Sequence, residues 1–434
     1  MAGLCMAVIG AGSTYTPELV DGLIRRQRQL PLEELRLMDI DARKNEIVGD
    51  FAAHMLQAAG LRVKIVRTGH LRAALEGVDF AVAQVRVGGL AARRLDETIP
   101  LKYGLLGQET TGIGGMMKAL RTIPVVRNIV RTMEEVAPGA TLINFSNPSG
   151  LVAQALLGEA PSRKLIGLCN VPVNMQAQAA RMLGAAPEEL EYGFVGLNHL
   201  LYLNSVRQNG RERIDELLRQ PWEQLQQNIP DVPADMDFLR HIQALPCSYL
   251  NYFYARRAML QKAQAAEQCR AEQCMDIERE LLELYRQPGL CRKPEALSKR
   301  GGALYSEAAI SLMEAIWCDT GAEHVVNVLN GGAYPFMAAD DVVEVQCRVG
   351  RGGCEPLPLF RQPHRHVIGL MQAVKAYERL TAQAALEGDM GAALEALAVH
   401  PLIGDMDAGR ACLQEMLQAN RAYLPQFFEK EQRI

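Results

Sequence analysis

Short apolar runs alternate with amphipathic stretches over the first 170 residues. Leu4 to Ile9 is apolar and stops at Gly10, and the spacing from Pro17 to about Leu30 predicts a helix. Leu35 to Ile40 reads as a second strand that closes on Asp39 and Asp41. Val63 to Val66 predicts a third, followed by a helical pattern, and Asp79 to Val87 a fourth. Leu142 to Phe145 and Leu165 to Leu168 bring the number to six. Such alternation predicts a parallel sheet covered by helices on both faces. Six strands in this pattern make a Rossmann-type dinucleotide-binding domain.

The pattern changes after about residue 166. Glu191 to Val206 reads as extended, with Asn198 and His199 in its middle. Pro221 to Pro246 is polar and punctuated by proline, and Tyr249 to Tyr285 is rich in helix formers. Ala322 to Cys347 predicts paired strands around Gly331-Gly332, Arg351 to Pro358 a loop, and the chain from His366 onward helices. The expected architecture is α/β, with an NAD-binding domain over 1–165 and an α+β substrate, metal and oligomerisation domain over 166–434. A chain of 434 residues, 49% hydrophobic, suits two associated domains.

A net charge of -4 without a basic stripe argues against nucleic acid as a partner. No segment approaches the roughly 20 apolar residues of a membrane span, so no membrane partner is expected. The ten cysteines are scattered and form no framework. With no basic segment before the first apolar run, no signal peptide is expected; a cytoplasmic enzyme with free thiols fits this, as would many other proteins.

Gly10-Ala11-Gly12-Ser13-Thr14-Tyr15 sits where the first strand meets the first helix. Glycines there let the backbone turn onto a pyrophosphate, and the helix supplies free N–H groups. Tyr15 replaces the third glycine of the usual fingerprint. Asp39, at the end of the second strand, favours NAD over NADP because a carboxylate binds a ribose hydroxyl and repels a 2′-phosphate. Arg43 is a further candidate, pairing with the cofactor or with Asp39.

Several motifs in order resemble glycoside hydrolase family 4, and within it the 6-phospho-β-glucosidases. They include Gly10 to Leu19, Arg86-Val87-Gly88-Gly89, Leu95-Asp96-Glu97, Lys102-Tyr103-Gly104 and Gly107-Gln108-Glu109-Thr110-Thr111-Gly112. Asn144-Phe145-Ser146-Asn147-Pro148, Cys169-Asn170-Val171-Pro172 and Gly196-Leu197-Asn198-His199 follow. The resemblance implies an architecture like that of lactate and malate dehydrogenases. It implies a phosphorylated disaccharide or β-glucoside as substrate, and a homodimer or homotetramer. It also implies an NAD-dependent route, an exception to the two-carboxylate scheme of glycosidases. Hydride leaves C3 for NAD, a base removes the C2 proton, and the C1–oxygen bond breaks by elimination. Water then adds and the hydride returns.

On the same resemblance, Cys169 and His199 hold Mn2+ or another divalent metal; thiolate chemistry by itself suits a softer ion. Tyr249 is the expected base, with Tyr252 as the alternative, and Glu109 raises its basicity. Arg93, with Arg94 beside it, Asn147 and Arg270 are expected at the substrate. Asn170 stands where α-specific members carry Asp, and an amide has no acidic proton to give, which favours β-glycosides. The 6-phosphate comes from the resemblance alone.

Three alternatives have different signatures. α-Glucosidase, α-galactosidase and glucuronidase activities belong to the same family. A lactate/malate-type 2-hydroxyacid dehydrogenase would accumulate NADH and needs no thiolate such as Cys169. An NAD-sensing regulator would bind cofactor without turnover.

Overall fold

The computed structural model describes residues 3–222, 229–300 and 305–429. The six apolar runs form six parallel strands: β1 (Leu4–Ile9), β2 (Leu32–Met38), β3 (Lys64–Thr68), β4 (Phe80–Ala83), β5 (Thr141–Asn144) and β6 (Leu165–Gly167). Their spatial order, β3-β2-β1-β4-β5-β6, is that of a doubly wound dinucleotide-binding sheet. Helices bury the central strands on both faces, and so β4 (Phe-Ala-Val-Ala) reads as continuously apolar. Lys64 and Arg67 stand on β3 at the sheet edge, where charge discourages pairing with another strand.

The later strands are β7 (Glu191–Leu197), β8 (Leu200–Gln208), β9 (Arg211–Glu212), β10 (Leu245–Pro246), β11 (Ala322–Leu329), β12 (Val342–Gly350) and β13 (Gly353–Pro356). β11, β12 and β13 extend the parallel sheet beyond β6 in antiparallel fashion, so nine strands share one sheet. β10, β8 and β7 form a second sheet, with β9 paired to β8.

Element boundaries differ from the sequence expectation in informative ways. The first helix spans Thr16–Arg25 rather than reaching Leu30. The stretch expected to be extended from Glu191 is the β7–β8 hairpin, which reverses at Asn198-His199 with His199 at φ 63°. Arg351 to Pro358, expected as a loop, contains β13. Gly353 at φ 108° lets the chain turn back so that Gly350 pairs with Gly353 and Cys347 with Pro356. Helices Arg365–Glu387, Met390–Val399 and Met406–Ala419 form the C-terminal part, and residues 430–434 lie outside the described residues. Helix Met236–Ile242 lies within the proline-punctuated stretch, of which residues 223–228 are also outside them. No helix of the described residues is long and apolar enough to cross a membrane.

Candidate active site

The carboxyl ends of β1, β4, β5 and β6 open into one cleft of about 800 Å³. Gly10 and Gly12 follow β1, Val85 and Arg86 follow β4, Asn147 follows β5, and Cys169 and Asn170 follow β6; all line it. Open α/β sheets bind ligands at this edge, where the strand order reverses. The volume is that of a cofactor with a small substrate.

The loop after β1 has the geometry of a dinucleotide cradle. Gly10 adopts φ 87°, and a Cβ there would lie 2.9 Å from the Gln84 carbonyl oxygen. Gly12 donates its N–H to Asp39 Oδ2 at 2.8 Å; a Cβ on it would stand 3.0 Å from that same oxygen. The two glycines therefore let the first and second strand ends converge, and Asp39 lines the cleft with Ser13. Thr14 is buried behind the loop: its carbonyl accepts from Tyr285 Oη at 2.8 Å and its hydroxyl from Arg300. Arg43 is exposed on the helix Ala42–Ala58, and its neighbour Lys44 lines the cleft instead.

Cys169 and His199 are 30 residues apart in the chain, yet Cys169 Sγ lies 3.5 Å from His199 Nε2. The end of β6 supplies the thiol and the β7–β8 turn supplies the imidazole. Tyr249, on the short turn Ser248–Leu250, stacks on the His199 ring with centroids 3.9 Å apart and planes at 16°. All three line the cleft. Burial, with Lys118 adding to it, pushes His199 down to about 3, so the imidazole is neutral and keeps a lone pair for a cation. Burial pushes the Cys169 thiol up, and a cation beside it would reverse that preference. Among the described residues no set of three or more His, Cys, Asp and Glu could hold a metal ion. The pair fits a divalent ion that completes its shell with substrate and solvent oxygens.

Glu109 lies on the same cleft wall, gripped by Arg86, by Lys118 and by Arg93, the last at 3.0 Å. Burial alone would raise its pKa; the three cations outweigh that and hold the carboxylate well below the usual range. No hydrogen bond joins Glu109 to Tyr249 among the described residues, so its negative charge reaches the phenol through space and raises the phenol's pKa. Burial contributes most to that rise, followed by Cys169. Arg93 also binds Glu97 at 2.7 Å, which locks it onto its own helix, Gly89–Lys102.

Asn147 and Asn170 line the cleft, and Asn170 stands at the N-terminus of helix Val171–Leu183. Tyr252 is buried but does not line the cleft. Arg94 is exposed and pairs with Glu272 at 3.7 Å. Arg270 donates to the carbonyls of Lys299 and Arg300, at 2.9 and 3.2 Å, and does not line the cleft. Arg300 does: it reaches the cradle and sits over the Tyr15 ring, 5.1 Å from its centroid. Lys118, Arg86 and Arg300 were not singled out from the sequence. The motif Arg86-Val87-Gly88-Gly89 was the one available pointer to any of them.

These features together define a dinucleotide-type cleft at the carboxyl edge of the sheet, with a buried thiol–imidazole pair on its wall. Residues 5–185 match the family 4 glycosyl hydrolases and residues 194–403 match the family 4 glycosyl hydrolase C-terminal domain. The chain belongs to family 4 of the glycosyl hydrolases. It is 42% identical over 437 residues to a probable 6-phospho-beta-glucosidase of Bacillus subtilis, covering 99% of each chain. The 6-phospho-beta glucosidase of Thermotoga maritima, solved with NAD and glucose-6-phosphate, superimposes with a TM-score of 0.90. The identity is 37%, with 97% of this chain and 99% of that one covered. Another crystal of the Thermotoga protein holds manganese, NAD+ and glucose-6-phosphate. The malate dehydrogenase of Cryptosporidium parvum, 14% identical with a TM-score of 0.54 over 88% of this chain and 100% of that one, shares the fold, as expected from the sequence.

Proposed function

We propose that this protein hydrolyses 6-phospho-β-glucosides by a redox, elimination and addition route that uses NAD and a divalent cation. The observation that carries the reading is the convergence of Cys169, His199 and Tyr249 in the same cleft as the Gly10–Gly12 cradle. The relatives in Bacillus and Thermotoga bear the corresponding names, and Asn170 favours the β configuration. When bound, NAD would supply a hydride acceptor for C3 and the cation a Lewis acid for charge developing beside C2 and C3. Gly10, Gly12, Ser13 and Asp39 would hold the first, and Cys169 and His199 the second.

Tyr249 would receive the C2 proton on its phenolate oxygen, the form that a cation held by Cys169 and His199 would favour against the burial that raises the phenol's pKa. The negative field of Glu109 makes that phenol a stronger base, and Arg86, Arg93 and Lys118 keep Glu109 ionised. Stacking on His199 fixes the ring beside the cation site. Asn170 orients a substrate oxygen by hydrogen bonding but has no acidic proton, so the leaving group departs without help from that position. Arg86, Arg93 and Lys118 outnumber the two carboxylates they face, Glu109 and Glu97, which suits a phosphorylated sugar.

The reading is tested with p-nitrophenyl β-glucoside 6-phosphate under reducing conditions, with the α anomer and the unphosphorylated sugar as controls. Nitrophenol release that requires both manganese and NAD, without stoichiometric NADH, is the expected result, and Cys169→Ser abolishes it. Turnover unaffected by a chelator, or NADH accumulating on a hydroxyacid instead, overturns it.

A further inference from the structure

Behind the thiol and imidazole lies a second, fully buried polar group. β11 and β12 set Asn327 opposite Glu344, and Asn327 also pairs with Gly167, two residues before Cys169. Both side chains are 0% exposed. Glu344 Oε1 accepts from Asn327 Nδ2 at 3.0 Å and from Asn198 Nδ2 at 3.3 Å. Asn198 Oδ1 in turn accepts the Gly150 N–H at 3.2 Å. Asn198 is thus held on both sides, and the next residue is His199, in the left-handed conformation. Such a turn persists only where its surroundings enforce it.

The accounting of polar atoms bears on the state of Glu344. Its Oε2 and Asn327 Oδ1 are both buried acceptors without a hydrogen-bond partner among the described residues. An acceptor cannot satisfy an acceptor, but one proton on Oε2 gives Asn327 Oδ1 a donor. No cation pairs with Glu344 among the described residues. The charged group that acts on it is Glu378, whose own partner is Lys375 on the same helix. Burial, opposed only in part by the two asparagines, pushes its pKa up to about 7. A buried carboxylate facing another carboxylate and no cation takes up a proton instead.

We infer that Glu344 is a positioning residue, present as a neutral acid, that locks Asn198 and thereby the turn presenting His199 beside Cys169. The inference rests on reading Cys169 and His199 as the cation site. Glutamine reproduces a neutral acid here, with an oxygen for the two asparagine amides and an NH2 for Asn327 Oδ1; alanine reproduces neither. Groups one step behind a metal ligand typically change affinity by about 10- to 100-fold when removed.

Manganese titration of the purified full-length protein, following the free ion by its paramagnetic resonance, tests this. Wild type should bind more tightly than Cys169→Ser. Glu344→Gln should stay within about twofold of wild type, and Glu344→Ala and Asn198→Ala should each lose about tenfold or more. Equal affinity in wild type and Cys169→Ser would sink the metal reading itself. With that reading intact, wild-type affinity in Asn198→Ala overturns the positioning role. Affinity in Glu344→Gln as weak as a tenfold loss overturns the neutral acid. Should Glu344→Ala not fold, Asn198→Ala and the infrared band of a protonated carboxyl, lost in Glu344→Gln, keep the test decisive.

Discussion

Replacing Arg121 by Met should destabilise the protein in a way that depends on pH. Arg121 on helix Gly112–Val136 grips Asp96 with two parallel bonds of 2.9 and 2.6 Å and reaches Asn420 Oδ1 at 3.0 Å. Asp96 is 0% exposed and Arg121 2%. This clamp ties the helix that carries Arg93 to the one that carries Lys118. Burial pushes Asp96 up to about 6 despite Arg121. A carboxyl whose folded pKa is raised contributes most below its unfolded value and loses that contribution as pH rises through the folded one. In wild type the loss ends near pH 6. Without Arg121 the folded pKa rises further, so the variant keeps losing stability up to pH 7. One pH unit corresponds to about 1.4 kcal/mol. The lost charge-assisted bonds add about 1.5–3 kcal/mol. The expected deficit is about 3–4 kcal/mol at pH 7 and smaller by about 1–2 kcal/mol at pH 5. Urea unfolding of both proteins at the two pH values measures it. A deficit equal at pH 5 and pH 7, or below about 1 kcal/mol at pH 7, refutes the reasoning.

Other perturbations separate chemistry, cofactor binding and stability. Tyr249→Phe should lower kcat by about 100-fold or more while NAD affinity, read by fluorescence titration, stays unchanged. Arg300→Leu should weaken NAD binding about tenfold, since it removes the guanidinium that reaches Thr14 and Tyr15 at the cradle, with little change in kcat at saturating NAD. Burial pushes His400 down to about 3. A depressed folded pKa gives stability that is present above the unfolded value near 6.5 and is lost as pH falls toward 3. His400→Gln should flatten the decline of the unfolding free energy, measured with urea, between pH 6 and pH 4, by about 1.4 kcal/mol per pH unit.

The sequence was most informative where one short segment carries a whole physical requirement. Gly10, Gly12 and Asp39 were legible because a tight turn and a strand-end carboxylate each need particular residue types. Cys169 and His199 were legible because each sits inside a distinctive motif. Lys118 was not, because a lysine in Met116-Met117-Lys118-Ala119-Leu120-Arg121 looks like the solvated face of a helix. Its burial is imposed by Glu109 and by packing of that helix among helices Arg365–Glu387, Gly89–Lys102 and Ser149–Glu159. Arg300 and Glu344 come from the C-terminal half and reach the site only through tertiary contacts. Arg270 is expected at the substrate from the family resemblance, but in the fold it anchors the backbone of Lys299 and Arg300. β13 was hidden by glycine and proline, which usually mark loops and here form a tight edge hairpin.

The central claim is that the glycosidic bond breaks after proton removal at C2 rather than by direct displacement at C1. Turnover of a 6-phospho-β-glucoside in D2O, with the released glucose 6-phosphate examined by NMR, addresses it directly. Deuterium at C2 of the product, absent from unreacted glucose 6-phosphate incubated without enzyme, is the predicted result. Product released at full rate with hydrogen retained at C2 would contradict the account.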